Sequence, residues 1–171
     1  MEKLLNKAIE ALKTLPDKDQ SKLAWEIIGR VEDKTEWDGI VSNPASQIWL
    51  EKEAAAALVK YKATIKPLSM SYISLSDDNL LRGEGYWRHF EDLTDGIKAS
   101  AEKNYKLWKN NPHHPDLKFK KIHAKLPIFS FRVGKKHRAV GVDVADGKFV
   151  WFWLGAIDQF IDLRNSFSAL K

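Results

Sequence analysis

The sequence predicts an α+β protein: an all-helical first part packed on a domain of two helices and a small antiparallel sheet. Three observations carry that expectation. Apolar residues recur at helical spacing through the first part and again to about residue 110, then switch to strict alternation. A strong breaker, Asn110-Asn111-Pro112-His113-His114-Pro115, stands at the switch. The alternating runs then follow one another closely, which suits an antiparallel sheet with helices on one face.

The elements can be justified in order. Leu5, Ile9 and Leu12 give residues 2–13 one apolar stripe. Thr14-Leu15-Pro16-Asp17 breaks it, and Leu23, Ile27, Ile28 and Val31 mark a second helix over about residues 17–33. Asp38-Gly39 and Ser42-Asn43-Pro44 are further interruptions. Asn43 can cap a third helix over about residues 44–62, with Pro44 at its first position, where no amide donor is missed. Leu50, Ala54, Ala57, Leu58 and Tyr61 form its stripe, and Pro67 ends it. These narrow stripes make a thin core alone, so the three helices are expected to pack on the rest of the chain.

Tyr72-Ile73-Ser74-Leu75 suits a strand and Ser76-Asp77-Asp78-Asn79 a turn. Helices are expected over about residues 84–93, from Tyr86, Trp87 and Phe90, and 95–110, from Ile97, Ala101, Tyr105 and Trp108. Alternation then predicts strands through Leu117 and Phe119, through Phe129, Phe131 and Val133, and through Val140, Val142 and Val144. Ala145-Asp146-Gly147 supplies a hairpin turn into Phe149–Leu154, apolar on both faces and therefore central, with Trp151 and Trp153 expected on one face. Phe160, Ile161 and Leu163 suit a short terminal helix.

Composition narrows the chemistry. The chain has 171 residues and no cysteine, which excludes a disulfide scaffold, thiolate metal sites and a thiol nucleophile. The longest non-polar run, Phe149 to Ile157, falls short of the roughly 20 residues needed to cross a bilayer. The first residues lack the apolar block of a signal peptide. A cytoplasmic protein with no membrane partner is expected.

Charge points to a partner. Residues 1–69 carry 11 basic and 11 acidic groups, whereas residues 70–171 carry 17 and 12, so the whole net charge of +5 lies in the second part. Between Lys118 and Arg138, eight cations occupy 21 residues with no acid among them: Lys118, Lys120, Lys121, Lys125, Arg132, Lys135, Lys136 and Arg138. Such a run repels itself unless a polyanion or an acidic partner compensates it. His113 and His114 flank a Pro-rich turn and are expected to shape or cap it. No cofactor or metal set is expected, and phosphate-loop, nucleophile-elbow and zincin signatures are absent.

Three segments carry a resemblance. His114-Pro115-x-Leu117-x-Phe119-Lys120, then Phe131-Arg132-Val133-Gly134-x-x-x-Arg138-Ala139-x-Gly141, then Val150-Trp151-Phe152-Trp153-Leu154-Gly155 resemble toxins of the RelE/ParE superfamily over about residues 84–164. Leu15-Pro16-Asp17, Trp37-Asp38 and Lys66-Pro67-Leu68 are similar to the small helical antitoxins that accompany such toxins. The resemblance implies two parts in one chain, an antitoxin-like segment over residues 1–69 and a toxin-like domain over 70–171, in intramolecular contact. For the RelE branch it implies metal-independent cleavage of ribosome-bound mRNA, in which the 2′-hydroxyl attacks the neighbouring phosphate.

That reaction needs a phosphate clamp, a stabiliser of the transition-state charge and a proton carrier. Arg132 and Arg138 match the motif arginines and take the first two roles. His137, next to Arg138, is the candidate proton carrier. Lys118, Lys120, Lys121, Lys125, Lys135 and Lys136 are the candidate RNA-backbone contacts. Many relatives carry a His and a Tyr after the last strand, where this chain has Ile157 and Phe160, so attenuated activity is expected. The competing expectation is a non-catalytic binding protein of the same fold, a ParE-like gyrase inhibitor or a nucleic-acid-binding regulator. A homodimer is a further candidate assembly.

Overall fold

A computed structural model describes residues 2–65, 82–145 and 148–169. The chain divides into two compact units, Met1–Gly39 and Ile40–Lys171. The junction expected at residues 69–70, the Pro67 stop, the strand expected at Tyr72–Leu75, the turn at Ser76–Asn79 and the Asp146-Gly147 turn residues lie outside the described residues.

The first unit holds α1 (Glu2–Lys13) and most of α2 (Asp17–Ser42). The expected break separates them, and Gln20 Nε2 tightens it by donating to the Leu15 carbonyl at 2.7 Å. None of the α1 residues is buried. Helix α2 runs straight through Asp38-Gly39, where an interruption was expected. One Gly inside a helix costs only about 1 kcal/mol, which the surrounding turns can offset. The helix stops at Ser42, where Asn43-Pro44 forces the end.

In the second unit α3 covers Pro44–Ile65, and the Asn43 side chain caps it, accepting from the Ala45 N–H at 2.9 Å. Helices α4 (Glu84–Glu91) and α5 (Asp95–Asn110) follow. Leu117 does not begin a strand as its alternation suggested. Pro115–Leu117 is a 3-10 turn, and Lys118 adopts φ 48°, a left-handed conformation that breaks extended chain. Only Lys120–Lys121 forms β1. The sheet continues with β2 (Ile128–Val133), β3 (His137–Ala145) and β4 (Lys148–Ala156), antiparallel in the order β1-β2-β3-β4, and α6 (Ile157–Ser168) closes the chain.

The pairing register sorts the strands into two faces. One presents Phe129, Phe131 and Val133 of β2, with Ala139 and Gly141 of β3 and Trp151 and Leu154 of β4. This face joins Tyr86 of α4 and Ala101, Tyr105 and Trp108 of α5 in the main core. The other presents three cross-strand rows: Ile128–Val142–Val150, Ser130–Val140–Trp153 and Arg132–Arg138–Gly155. Helices therefore cover both faces of the sheet, not one. On the second face Trp49 of α3, Trp153 and Phe160 of α6 meet edge to face, with ring centroids 4.9 to 6.4 Å apart.

Trp151 and Trp153 were expected on one face and lie on opposite ones. The pairing shifts between Val140↔Trp153 and Gly141↔Trp151, so Phe152 is an extra, bulged residue. Helix α4 marks the same spot: a Cβ on Gly85 would collide with the Phe152 carbonyl oxygen. Trp151 lies over Gly141, whose missing Cβ would sit 2.7 Å from the indole ring.

Candidate nucleic-acid interface

Arg132 and Arg138 are direct cross-strand partners on β2 and β3. Alternation turns both away from the Phe129-Phe131-Val133 side, as the sequence predicted for Arg132. Lys120 of β1 pairs with Ser130, which places it one row away on that same face. The turn joining β2 to β3 adds Lys135 and Lys136, both exposed. Five of the eight predicted cations therefore gather on one face or at its turn: Lys120, Arg132, Lys135, Lys136 and Arg138.

The others are dispersed. Lys121 pairs opposite Phe129, on the far face, and its Nζ donates to the Lys125 carbonyl at 3.4 Å. Lys125 is exposed in the β1–β2 loop, and Lys118 is half-buried at the left-handed turn. These three sit around the edge strand, outside the arginine row.

The two arginines differ in environment. Arg132 is half-buried and its Nε donates to the Gly134 carbonyl at 2.8 Å, while Asn104 Nδ2 of α5 donates to the Arg132 carbonyl at 2.7 Å. Helix α5 thus pins the backbone from the opposite side of the sheet. Gly134 can close this turn because it takes φ +59°, which other residues rarely adopt. Arg138 is 2% exposed, and Nη1 donates to the His137 carbonyl at 2.9 Å. Burial penalises its charged form and lowers its pKa to about 10.

His137 is adjacent to Arg138 in sequence and separated from it by the strand. Its register partners are Val133 and Ala156, on the face that carries the main core. Burial holds its pKa below the usual 6.5. The structure therefore brings Arg132 and Arg138 together and leaves the expected proton carrier on the other face. Ile157 and Phe160 are 4% and 0% exposed and carry no proton-transfer group.

The remaining histidines have local duties. His114 Nδ1 accepts from the Asp116 N–H at 3.2 Å and caps the 3-10 turn, as its place beside the prolines suggested. His123, 7% exposed, accepts from the Lys125 and Leu126 N–H groups at 3.2 and 2.9 Å and shapes the β1–β2 loop. Among the described residues no cluster of three or more His, Asp or Glu could hold a metal ion. No helix among them is long and apolar enough to cross a membrane.

Helix α3 occupies the face that carries the arginines. Trp49 covers the Ser130–Val140–Trp153 row through its contact with Trp153, one row from Arg132–Arg138–Gly155. Gln47 fastens the start of α3 to the β1–β2 loop: Nε2 donates to the Ile122 carbonyl at 2.9 Å and Oε1 accepts from the Ala124 N–H at 2.9 Å. Arg164 of α6 reaches Ser46 Oγ at 3.4 Å. Sequence periodicity found the stripe of α3 but not Gln47 or Ser46, because polar residues on an apolar face carry no period of their own.

A third buried or half-buried arginine was missed altogether. Arg82, 7% exposed, pairs with Glu102 of α5 at 2.5 Å, and its guanidinium lies 4.3 and 4.4 Å from the ring centroids of Trp87 and Tyr105. It fixes α4 to α5 through a charge pair and two aromatic faces. No family model, no curated protein and no solved structure matches the chain.

Proposed function

We propose that the chain is a toxin–antitoxin fusion. In this reading, residues 70–171 are a RelE-like domain acting on ribosome-bound mRNA, silenced in cis by antitoxin-like helices within residues 1–69. The observation that carries the reading is the placement of α3 on the sheet face that bears the Arg132–Arg138 pair. Two guanidinium groups on neighbouring strands suit one phosphodiester, with one clamping and the other meeting charge that develops in the transition state. Lys120 and the Lys135-Lys136 turn would follow the RNA backbone, whose affinity for cations is salt-dependent. Trp49, Ser46 and Gln47 hold α3 against that face.

The test loosens α3 in the full chain. Trp49→Ala with Gln47→Ala should expose the arginine row. Cleavage is then read by primer extension on translating ribosomes, and RNA binding by titration at several salt concentrations. Wild type should be silent and the loosened variant active or RNA-binding, and adding Arg132→Ala and Arg138→Ala should abolish both signals. A loosened, folded variant that neither binds nor cleaves RNA overturns the reading.

One observation favours a non-catalytic binder of the same fold. Neither Ile157 nor Phe160 can move a proton, and His137 lies on the opposite face. A positioned proton carrier contributes roughly 10²- to 10⁴-fold to a rate. If the loosened variant binds RNA with no turnover, or inhibits gyrase supercoiling instead, the binder is the correct reading.

A further inference from the structure

Helix α3 meets the sheet through its first half. Trp49, Leu50 and Ala54 are buried, and no described residue of the helix beyond Ala54 is. Beside the second half lies a cavity of about 560 Å³, walled by α3, the start of α4 and β4. That is the size of a small-molecule site. The sequence explains the gap: Ala56 and Ala57 on one wall and Gly83 and Gly85 on the other are too small to fill it. Val150 and Phe152 of β4, both buried, give it an apolar floor.

Two poles of charge line the cavity. One is Glu84 held between Lys60 and Arg88. Lys60 Nζ donates to one carboxylate oxygen at 2.5 Å and Arg88 Nη2 to the other at 3.0 Å. Both oxygens are engaged, and two cations around one carboxylate leave a positive charge in surplus. Lys60 and Arg88 also keep N–H groups that no other described residue takes up. The second pole is Glu53, half-buried and without a hydrogen-bond or ion-pair partner among the described residues. An anion alone would leave Glu53 unpaired, and a cation alone would leave the surplus positive charge. A molecule with both end groups meets both poles.

We propose that this cavity binds a small zwitterion, its ammonium at Glu53 and its carboxylate at Lys60 and Arg88, with an extended spine along the apolar floor. Glu53 and Lys60 stand two turns apart on one face of α3, roughly 10.5 Å along its axis. That spacing sets the ligand's end groups about 10 Å apart, the reach of 8-aminooctanoate or of an extended tripeptide. None of the cations of the β2–β3 face lines the cavity, so the proposal stands whether or not the chain acts on RNA.

Titration of the full chain with 8-aminooctanoate, followed by amide NMR shifts, tests it. The signals of Ala57, Gly83 and Gly85 should move and saturate, while those of the β2–β3 ladder stay in place. Octanoate and octylamine each lack one end group and should bind about 5- to 10-fold more weakly. Glu53→Gln should bring 8-aminooctanoate down to the affinity of octanoate and leave octanoate itself unweakened. Arg88→Gln should weaken octanoate and leave octylamine unweakened. A variant that merely failed to fold would lose every probe alike. Ala57→Leu fills the cavity and should abolish binding of all three, with an unchanged circular dichroism spectrum. Trialanine carries the same end groups on an amide spine: tighter binding than 8-aminooctanoate identifies a peptide as the source, and weaker binding an ω-amino acid. If neither compound binds at up to about 10 mM, the proposal is overturned. Equal affinity for 8-aminooctanoate, octanoate and octylamine also overturns it, as does binding that survives Ala57→Leu.

Discussion

Arg132 and Arg138 face each other across the β2–β3 pair, two like charges in a position where sheets ordinarily place opposite or apolar partners. Arg138 is nearly sequestered there, and burial already lowers its pKa to about 10. Like charges directly opposite on neighbouring strands weaken a sheet, and an anion held between them would offset that. Charge reversal at one member should relieve the repulsion. Arg132→Glu, placed opposite Arg138, should raise the melting temperature while abolishing RNA binding in the α3-loosened protein. A thermal scan beside a binding titration checks both, and a lower melting temperature would show that the pair is not repulsive.

Phe160 is fully buried, with its ring 4.9 Å from Trp49 and 5.4 Å from Trp153. A tyrosine at this position would drive a hydroxyl into that aromatic trio. Phe160→Tyr should cost about 1–3 kcal/mol, the desolvation penalty of an unsatisfied polar group. Urea unfolding should show a lower midpoint at unchanged slope, and an unchanged midpoint would mean that the hydroxyl finds a partner.

Gln47 gives α3 two bonds to the Ile122–Ala124 loop. Gln47→Leu keeps the bulk and leaves the Ile122 carbonyl and Ala124 N–H to find other partners. A loss of about 1–3 kcal/mol is expected, concentrated in α3 and the loop. Hydrogen exchange should speed up at Ala124 before it changes in the β2–β3 ladder. Uniform acceleration would mean that α3 opens only with the whole unit.

His89 and His137 are both held below the usual 6.5, chiefly by burial. The unfolded chain then takes up protons that the folded chain refuses. Stability should therefore be full above pH 6.5 and fall as the pH drops from there through the folded-state pKa values. His89→Gln with His137→Gln should flatten the melting-temperature profile between pH 7 and pH 5. A double variant as acid-sensitive as wild type would assign the effect to other groups.

Gly85 sits where α4 crosses the bulged Phe152, and its missing Cβ avoids the Phe152 carbonyl oxygen. Ala is otherwise the better helix former by about 1 kcal/mol. Here the backbone collision should dominate and Gly85→Ala should destabilise by about 1–3 kcal/mol, the usual cost of overpacking. A gain in melting temperature would show that α4 can shift away from β4.

How far the sequence is legible depends on which force decides each element. Helix α5 was read to its ends, Asp95 and Asn110, because its stripe and the following breaker agree. Asn43-Pro44 marked the start of α3 because capping is local chemistry. Helix α2 passed through Asp38-Gly39 because one glycine is a weak stop. The bulge at Phe152 was invisible, since Phe149–Leu154 is apolar on both faces and no alternation could reveal a skipped residue. At the candidate site, alternation placed Arg132 correctly and, applied one residue earlier, would have separated His137 from Arg138. The near-complete burial of Arg138 was not legible, because it depends on what lies over the sheet.

The bond from Gln47 to Ile122 spans 75 positions of chain, and its direction has a consequence for biosynthesis. Helix α3 leaves the ribosome well before any strand of the sheet. The cationic strands therefore emerge with α3 already waiting beside them, at the high local concentration that a shared chain enforces. A separately encoded helix would have to find the sheet by diffusion. In this chain α3 and the arginine-bearing strands are fixed at one to one, and α3 is made first.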